Sequence, residues 1–164
     1  MNDTQNDSLA KLKELLEGID FTMLTTFTNG RMHSRPMSTQ VLDENGDLWF
    51  FTADNTRKIA EIEADNRINA AYSDPSGNRY VSVYGTADIV KDKAKIEELW
   101  NPILKAWFPE GLNDPTLCLL RIKIEEAEYW DAPSSKVVQI AGFIKAFVTG
   151  TEASYGDHAT IKLS

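Results

Sequence analysis

The sequence predicts an α+β or helix-decorated all-β domain, with roughly six mostly antiparallel strands and roughly three or four helices. Three observations carry that expectation. Asn29-Gly30 separates two extended runs, a strong hairpin signal because both residues accept the positive φ of a type I′ turn. Residues 48–52 (LWFFT) form a short continuous apolar run, as expected of a strand buried on both faces. Residues 79–90 alternate, with Val81, Val83, Gly85, Ala87 and Ile89 on one face and Tyr80, Ser82, Tyr84, Thr86 and Asp88 on the other.

The elements follow in order. Ser8 is an N-cap residue before a helix whose stripe is Leu9, Leu12, Leu15, Leu16 and Ile19, with Gly18 near its end. From Phe21 the run FTMLTTFT is β-branched and aromatic, and it pairs across the Asn29-Gly30 turn with residues 31–41. The turn at residues 43–47 (DENGD) leads into LWFFT, so three consecutive strands make an antiparallel meander. Asp54 can cap a helix carrying Ile59 and Ile62, and residues 67–73 form a strand closed by Asp74-Pro75-Ser76-Gly77. A helix over residues 92–100 stops at Asn101-Pro102, since the residue before a proline avoids the helical region. Residues 117–130 read as a long last strand, and Val137, Ile140, Ile144 and Val148 have helical spacing before Gly150. Residues 1–7 and 151–164 lack periodicity and are expected to be frayed tails around one domain at residues 8–150. Closing the sheet into a barrel would remove its edges.

Composition narrows the function. The 164 residues suit one domain, and a single cysteine excludes an internal disulfide framework and fits a reducing, cytoplasmic setting. No run approaches the about 18 apolar residues of a membrane span. Seventeen Lys and Arg against 25 Asp and Glu give a net charge of -8, which argues against nucleic acid as the main partner. His33 and His158 stand far apart and neither has a ligand at metal-binding spacing. Cys118 lies in an apolar strand with no adjacent base, which reads as a buried structural thiol. There is no Gly-rich phosphate loop and no GxSxG elbow, so any chemistry is expected to come from a bound cofactor.

Three features depart from an ordinary barrel. Thr56-Arg57-Lys58 puts two cations in a first helical turn, where acids are favoured. It reads either as an anion site of backbone donors, hydroxyl and charge, or as a solvated basic turn. The second extended run carries no core stripe, and Pro36 confines it to an edge or a bulge while holding Arg35 extended. Thr52 adds a hydroxyl just before the cationic turn. Trp107-Phe108-Pro109 and Tyr129-Trp130 are large flat groups that serve either core packing or a ligand wall.

Arg35, Thr52, Arg57, Lys58 and Trp130 together suit a ligand with a phosphate and a flat conjugated ring. In this order the chain resembles the pyridoxamine phosphate oxidase-like flavin-binding split barrels, and among them the bacterial general stress protein branch. The resemblance covers residues 9–150 and rests on Arg35-Pro36-Met37, on Phe50-Phe51-Thr52 followed by Thr56-Arg57-Lys58, on the strand containing Gly85, and on Glu128-Tyr129-Trp130 before Asp131. It implies a six-stranded antiparallel split β-barrel that forms a homodimer, with FMN or FAD at the subunit interface. By the same resemblance Arg35, Arg57 and Lys58 hold the flavin phosphate, with Thr52 adding a hydrogen bond and Phe51 beside it. Pro36, Met37 and Ser38 run along the flavin ring, and Trp130 approaches from the partner chain. Tyr80 stands where the oxidases look to carry glutamine, so that contact is not carried over. After Trp130 the oxidases have an arginine- and histidine-bearing stretch, whereas this chain reads Asp131-Ala132-Pro133-Ser134-Ser135-Lys136. The expectation is a flavin-dependent oxidoreductase linked to stress that is not an efficient pyridoxamine phosphate oxidase. The alternative is a non-catalytic flavin-binding module that carries, stores or senses the cofactor.

Overall fold

The computed structural model describes residues 3–132 and 157–163; the expected helix over Val137, Ile140, Ile144 and Val148 lies outside them. The elements are α1 (Asp3–Leu16), β1 (Phe21–Thr28), β2 (Arg31–Leu42), β3 (Asp47–Ala53), α2 (Arg57–Ala64), β4 (Arg67–Asp74), β5 (Arg79–Val90), α3 (Lys93–Leu99), β6 (Leu117–Asp131) and β7 (Asp157–Lys162). Two short 3-10 turns, Pro102–Ala106 and Gly111–Asn113, lie between α3 and β6.

The strands are joined in the order β3-β2-β1-β4-β5-β6-β7, and β3 also pairs with β6. The first six strands therefore close into an antiparallel barrel, and β7 is added outside the closure. β6 has two partners along one edge: residues 117–123 pair with β3, and residues 126–131 pair with β7. Its other edge pairs with β5 from Leu119 to Asp131. The barrel wall splits between Lys123, opposite Asp47 at the start of β3, and Glu126, opposite Lys162 at the end of β7.

The Asn29-Gly30 hairpin forms as its residues dictate, with φ of 50° and 72°. β3 is buried on both faces, with Leu48 and Phe50 in the main core and Trp49 and Phe51 in a second cluster with Ile96, Leu104 and Leu119. Filling the barrel with Leu24, Phe50, Val83, Leu120 and Ile122 stabilises it by about 1.5–3 kcal/mol for each such side chain buried. Gly85 marks a register shift between β5 and β6, and a Cβ there would lie 2.1 Å from the Lys123 carbonyl oxygen. Only glycine lets the two backbones approach so closely.

Three expectations need correction. Helix α1 starts at Asp3 rather than Ser8, so residues 3–7 are helical and not a frayed tail. The C-terminal segment is not frayed at Asp157–Lys162, because the second half of β6 offers an open edge and Ile161 is buried against the core. Helix α2 starts at Arg57 with Thr56 as its cap residue, while the Asp54 carboxylate, expected to cap it, pairs with Lys91. Pro36 behaves as an edge residue: the β2–β3 ladder begins only at Thr39, with a register shift before Val41, so residues 31–38 pair with β1 alone.

The outer face of β1 and its neighbours carries exposed apolar side chains. Phe21, Met23 and Phe27 of β1, Met32 of β2 and Tyr84 of β5 are exposed, Met32 to 71%.

Candidate functional site

The β3–α2 junction concentrates polar groups at the end of a buried strand. Thr52 is buried near the end of β3, and Thr56 takes the extended conformation of a cap residue (φ −92°, ψ 153°). The Thr56 hydroxyl donates to the Ala53 carbonyl at 3.0 Å and accepts no N–H of α2, whose first turn holds no acid. From the second position of α2, Lys58 Nζ donates to Thr52 Oγ1 and, at 3.2 Å, to Thr56 Oγ1. Among the described residues Lys58 forms no ion pair with a carboxylate. Its burial, and next the charge of Arg35, hold its pKa below the ordinary lysine range. A partly buried ammonium bonded to hydroxyls has the charge and donors that suit an anion.

Lys58 opens into a cavity of about 340 Å³. One wall is Pro36, Met37 and Ser38 of β2; the floor is Phe51, Thr52 and Thr56; the remaining wall is Leu104, Trp107 and Phe108 from the turns after α3. Six of the nine residues expected at the cofactor site thus line one cavity: Pro36, Met37, Ser38, Phe51, Thr52 and Lys58.

Arg35 and Arg57 are engaged elsewhere. The Glu61 carboxylate, 4% exposed, accepts Arg35 Nη2 at 2.6 Å and Arg57 Nε at 2.8 Å. It also accepts the Thr26 hydroxyl at 2.6 Å and meets His33 Nδ1 at 2.7 Å. Burial alone would raise the Glu61 pKa, but the hydrogen bonds from Thr26 and His33 and the charge of Arg35 bring it down to about 2. Arg57 and His33, with Arg31, line a separate cavity of about 310 Å³. The structure therefore divides the expected cation cluster, with Lys58 facing one cavity and Arg57 the other.

Trp130 stands apart within the chain. Thr52 pairs with Cys118 on β6, and the path from Cys118 to Trp130 is about 40 Å of strand at about 3.3 Å per residue. Trp130 is half exposed and stacks on His158 of β7, ring centroids 4.9 Å apart. Cys118 is fully buried, its thiol pushed up to about 11 first by burial and then by Asp54, so it is no nucleophile. No three His, Cys, Asp or Glu side chains among the described residues gather into a metal site. None of the described helices is long and apolar enough to cross a membrane.

Sequence reasoning missed Glu61 and the wall position of Leu104. The Arg57–Glu61 spacing of one helical turn was a legible signal for an ion pair, but nothing local showed that the carboxylate would be buried. Of the aromatic pair, Phe108 packs toward Phe51, ring centroids 6.5 Å apart, while Trp107 stays 59% exposed on the cavity rim.

Comparison with known proteins places the chain among relatives. Residues 7–154 match the family model described as pyridoxamine 5'-phosphate oxidase like. The chain is 29% identical over 154 residues to protein bli-3 of Neurospora crassa, covering 87% of this chain and 74% of that protein. A general-stress-protein-26 candidate of Jannaschia sp. CCS1 is similar at a TM-score of 0.75 and 27% identity, over 95% of this chain and 98% of that one. The general stress FMN/FAD binding protein of Xanthomonas citri is similar at a TM-score of 0.67 and 30% identity, over 76% of this chain and 89% of that one.

The Glu61 network sets a pH dependence. Its folded pKa of about 2 lies below the ordinary 4.5, so its contribution to stability is complete above that ordinary value and is lost as pH falls toward 2. Glu61→Gln is expected to lower stability at neutral pH by about 1–3 kcal/mol and to flatten the acid limb below pH 4.5. Urea denaturation of both proteins at several pH values checks this; an acid limb unchanged by the substitution would refute it.

Proposed function

We propose that this chain, which belongs to the pyridoxamine 5'-phosphate oxidase-like family, binds a flavin nucleotide in the cavity between β2 and α2 and works through that flavin. The observation that carries the reading is Lys58, a partly buried ammonium without a carboxylate partner, held by two hydroxyls at the cavity floor. These groups fit a phosphate: the ammonium and Thr52 and Thr56 supply charge and hydrogen bonds, and Arg35 adds a positive field felt at Lys58. Residues 36–38 of β2 offer an extended strand edge for a flat ring, and Pro36 there has no N–H to leave unpaired. The FMN/FAD binding of the Xanthomonas citri relative supports the same ligand class, and relatives called general stress proteins support a role in stress.

A bound flavin supplies hydride or electron transfer, and the chain supplies binding and electrostatics. Among the described residues Lys58 is the one ionisable side chain lining the cavity, so these residues are suited to hold and orient the cofactor. That same observation favours, as a second reading, a flavin carrier, store or sensor without turnover. Lys58→Met is expected to weaken FMN binding about ten- to a hundredfold, since hydrogen bonds to charged groups contribute about 1.5–3 kcal/mol. Titration of flavin fluorescence checks this, and unchanged affinity would sink the assignment.

The working unit of this proposal is a homodimer. Phe21, Met23, Phe27 and Met32 leave an apolar sheet face that a second copy would cover, bringing its Trp130 toward the flavin. Light scattering is expected to give twice the 18.4 kDa chain mass at micromolar concentration; a monomer would refute the dimer.

Efficient pyridoxamine phosphate oxidation is not expected. A phosphorylated substrate needs an anion site of its own, yet Arg35 and Arg57 are tied to Glu61, and Asp131 follows Trp130. Flavin-loaded protein given pyridoxamine phosphate should form pyridoxal phosphate at well under about 1 per second. Turnover at or above that rate would overturn this expectation.

A further inference from the structure

We infer that Trp107 forms a second ring-binding subsite beyond the phosphate anchor, one that takes the adenine of FAD and makes this chain prefer FAD to FMN. The inference rests on the flavin reading and deepens it.

The cavity lining combines one anion anchor with two walls of different chemistry. β3 carries the anchor at its end, Thr52 bonded to Lys58. Its ladder to β2 begins at Thr39↔Phe50, and this side leads to Pro36, Met37 and Ser38. Phe51, next along β3, takes the opposite face of the strand from Phe50 and meets Phe108 and Trp100, centroids 6.5 and 5.6 Å away. The strand wall, the anchor and the aromatic wall thus line one cavity. In FMN the phosphate ends the molecule, so a ligand whose ring follows the strand wall and whose phosphate meets Lys58 would leave the aromatic wall bare. In FAD the chain continues through a second phosphate to an adenine, a flat ring suited to a stack on indole.

Trp107 is free to make that stack. Its indole is 59% exposed on the cavity rim. Among the described residues it has no aromatic or cation partner, whereas Trp49 lies under Lys95 and Arg121, Trp100 meets Phe51 and Trp130 meets His158. Phe108 and Leu104 beside it are packed into the second apolar cluster, which gives the exposed ring a rigid base. The backbone of Trp107 donates to the Leu104 carbonyl at 3.0 Å and fixes the turn.

The test compares FMN, FAD and adenosine monophosphate on the full chain by calorimetric titration, with Trp107→Ala and Trp107→Phe. FAD is expected to bind more tightly than FMN. Trp107→Ala should weaken FAD by on the order of tenfold while leaving FMN nearly unchanged, and Trp107→Phe should restore most of the loss, because a phenyl ring still stacks. Because Trp107 is exposed, the alanine variant should keep the thermal midpoint of the parent. Equal affinity for the two flavins, or a loss shared equally by FMN and FAD, would overturn the adenine subsite while leaving the flavin reading in place. Failure of both flavins to bind the parent protein would overturn both.

Discussion

The strand β6 is the constraint on which the rest depends. At fifteen residues it is too long for any one neighbour on its outer edge, and it divides that edge between β3 and β7. Pairing with β3 closes the barrel and buries β3 on both faces. That double burial places the end of β3, and with it Thr52, at a fixed depth beneath the start of α2. Because β2 joins β3 only from Thr39 onward, residues 31–38 keep one open edge, and the cavity lies against that edge.

Within this frame, one buried carboxylate sorts the cations. Arg35, Arg57 and Lys58 are near neighbours in the fold, and all three would be drawn to any acid among them. Glu61 takes the two guanidiniums, whose planar forks suit a carboxylate, and leaves the ammonium to hydroxyls. The low pKa of Glu61 and the lowered pKa of Lys58 are two sides of this division: one group is over-supplied with donors, the other buried beside like charge.

The aromatic segment after α3 contributes in a different way. Its turns are short and 3-10 in character, held by Asn101 and by backbone bonds among Leu104, Trp107 and Phe108 rather than by long-range ladders. Leu104 and Phe108 anchor it on Trp49 and Phe51, which are available only because β3 shows apolar side chains on both faces. The same pattern that closes the barrel therefore also gives the cavity its aromatic wall.

Much of this was determined by the sequence alone. The Asn29-Gly30 turn, the two-sided run at LWFFT and the alternation through β5 are local signals, and local geometry is enough to read them. The cavity residues of β2, β3 and α2 were legible for a similar reason: a proline in an open strand and two cations in a first turn break local rules. The tertiary structure decided what local rules cannot reach. Strand β7 forms because a free edge exists on β6, a fact about a partner far away in the chain. Glu61 is buried because Thr26, His33 and Arg35 converge on it from two other strands, though a glutamate on a short helix ordinarily faces water. Lys58 differs from Arg57 only through such convergence, since two adjacent cations look alike in sequence and are told apart by which neighbours the fold brings within about 3 Å of each.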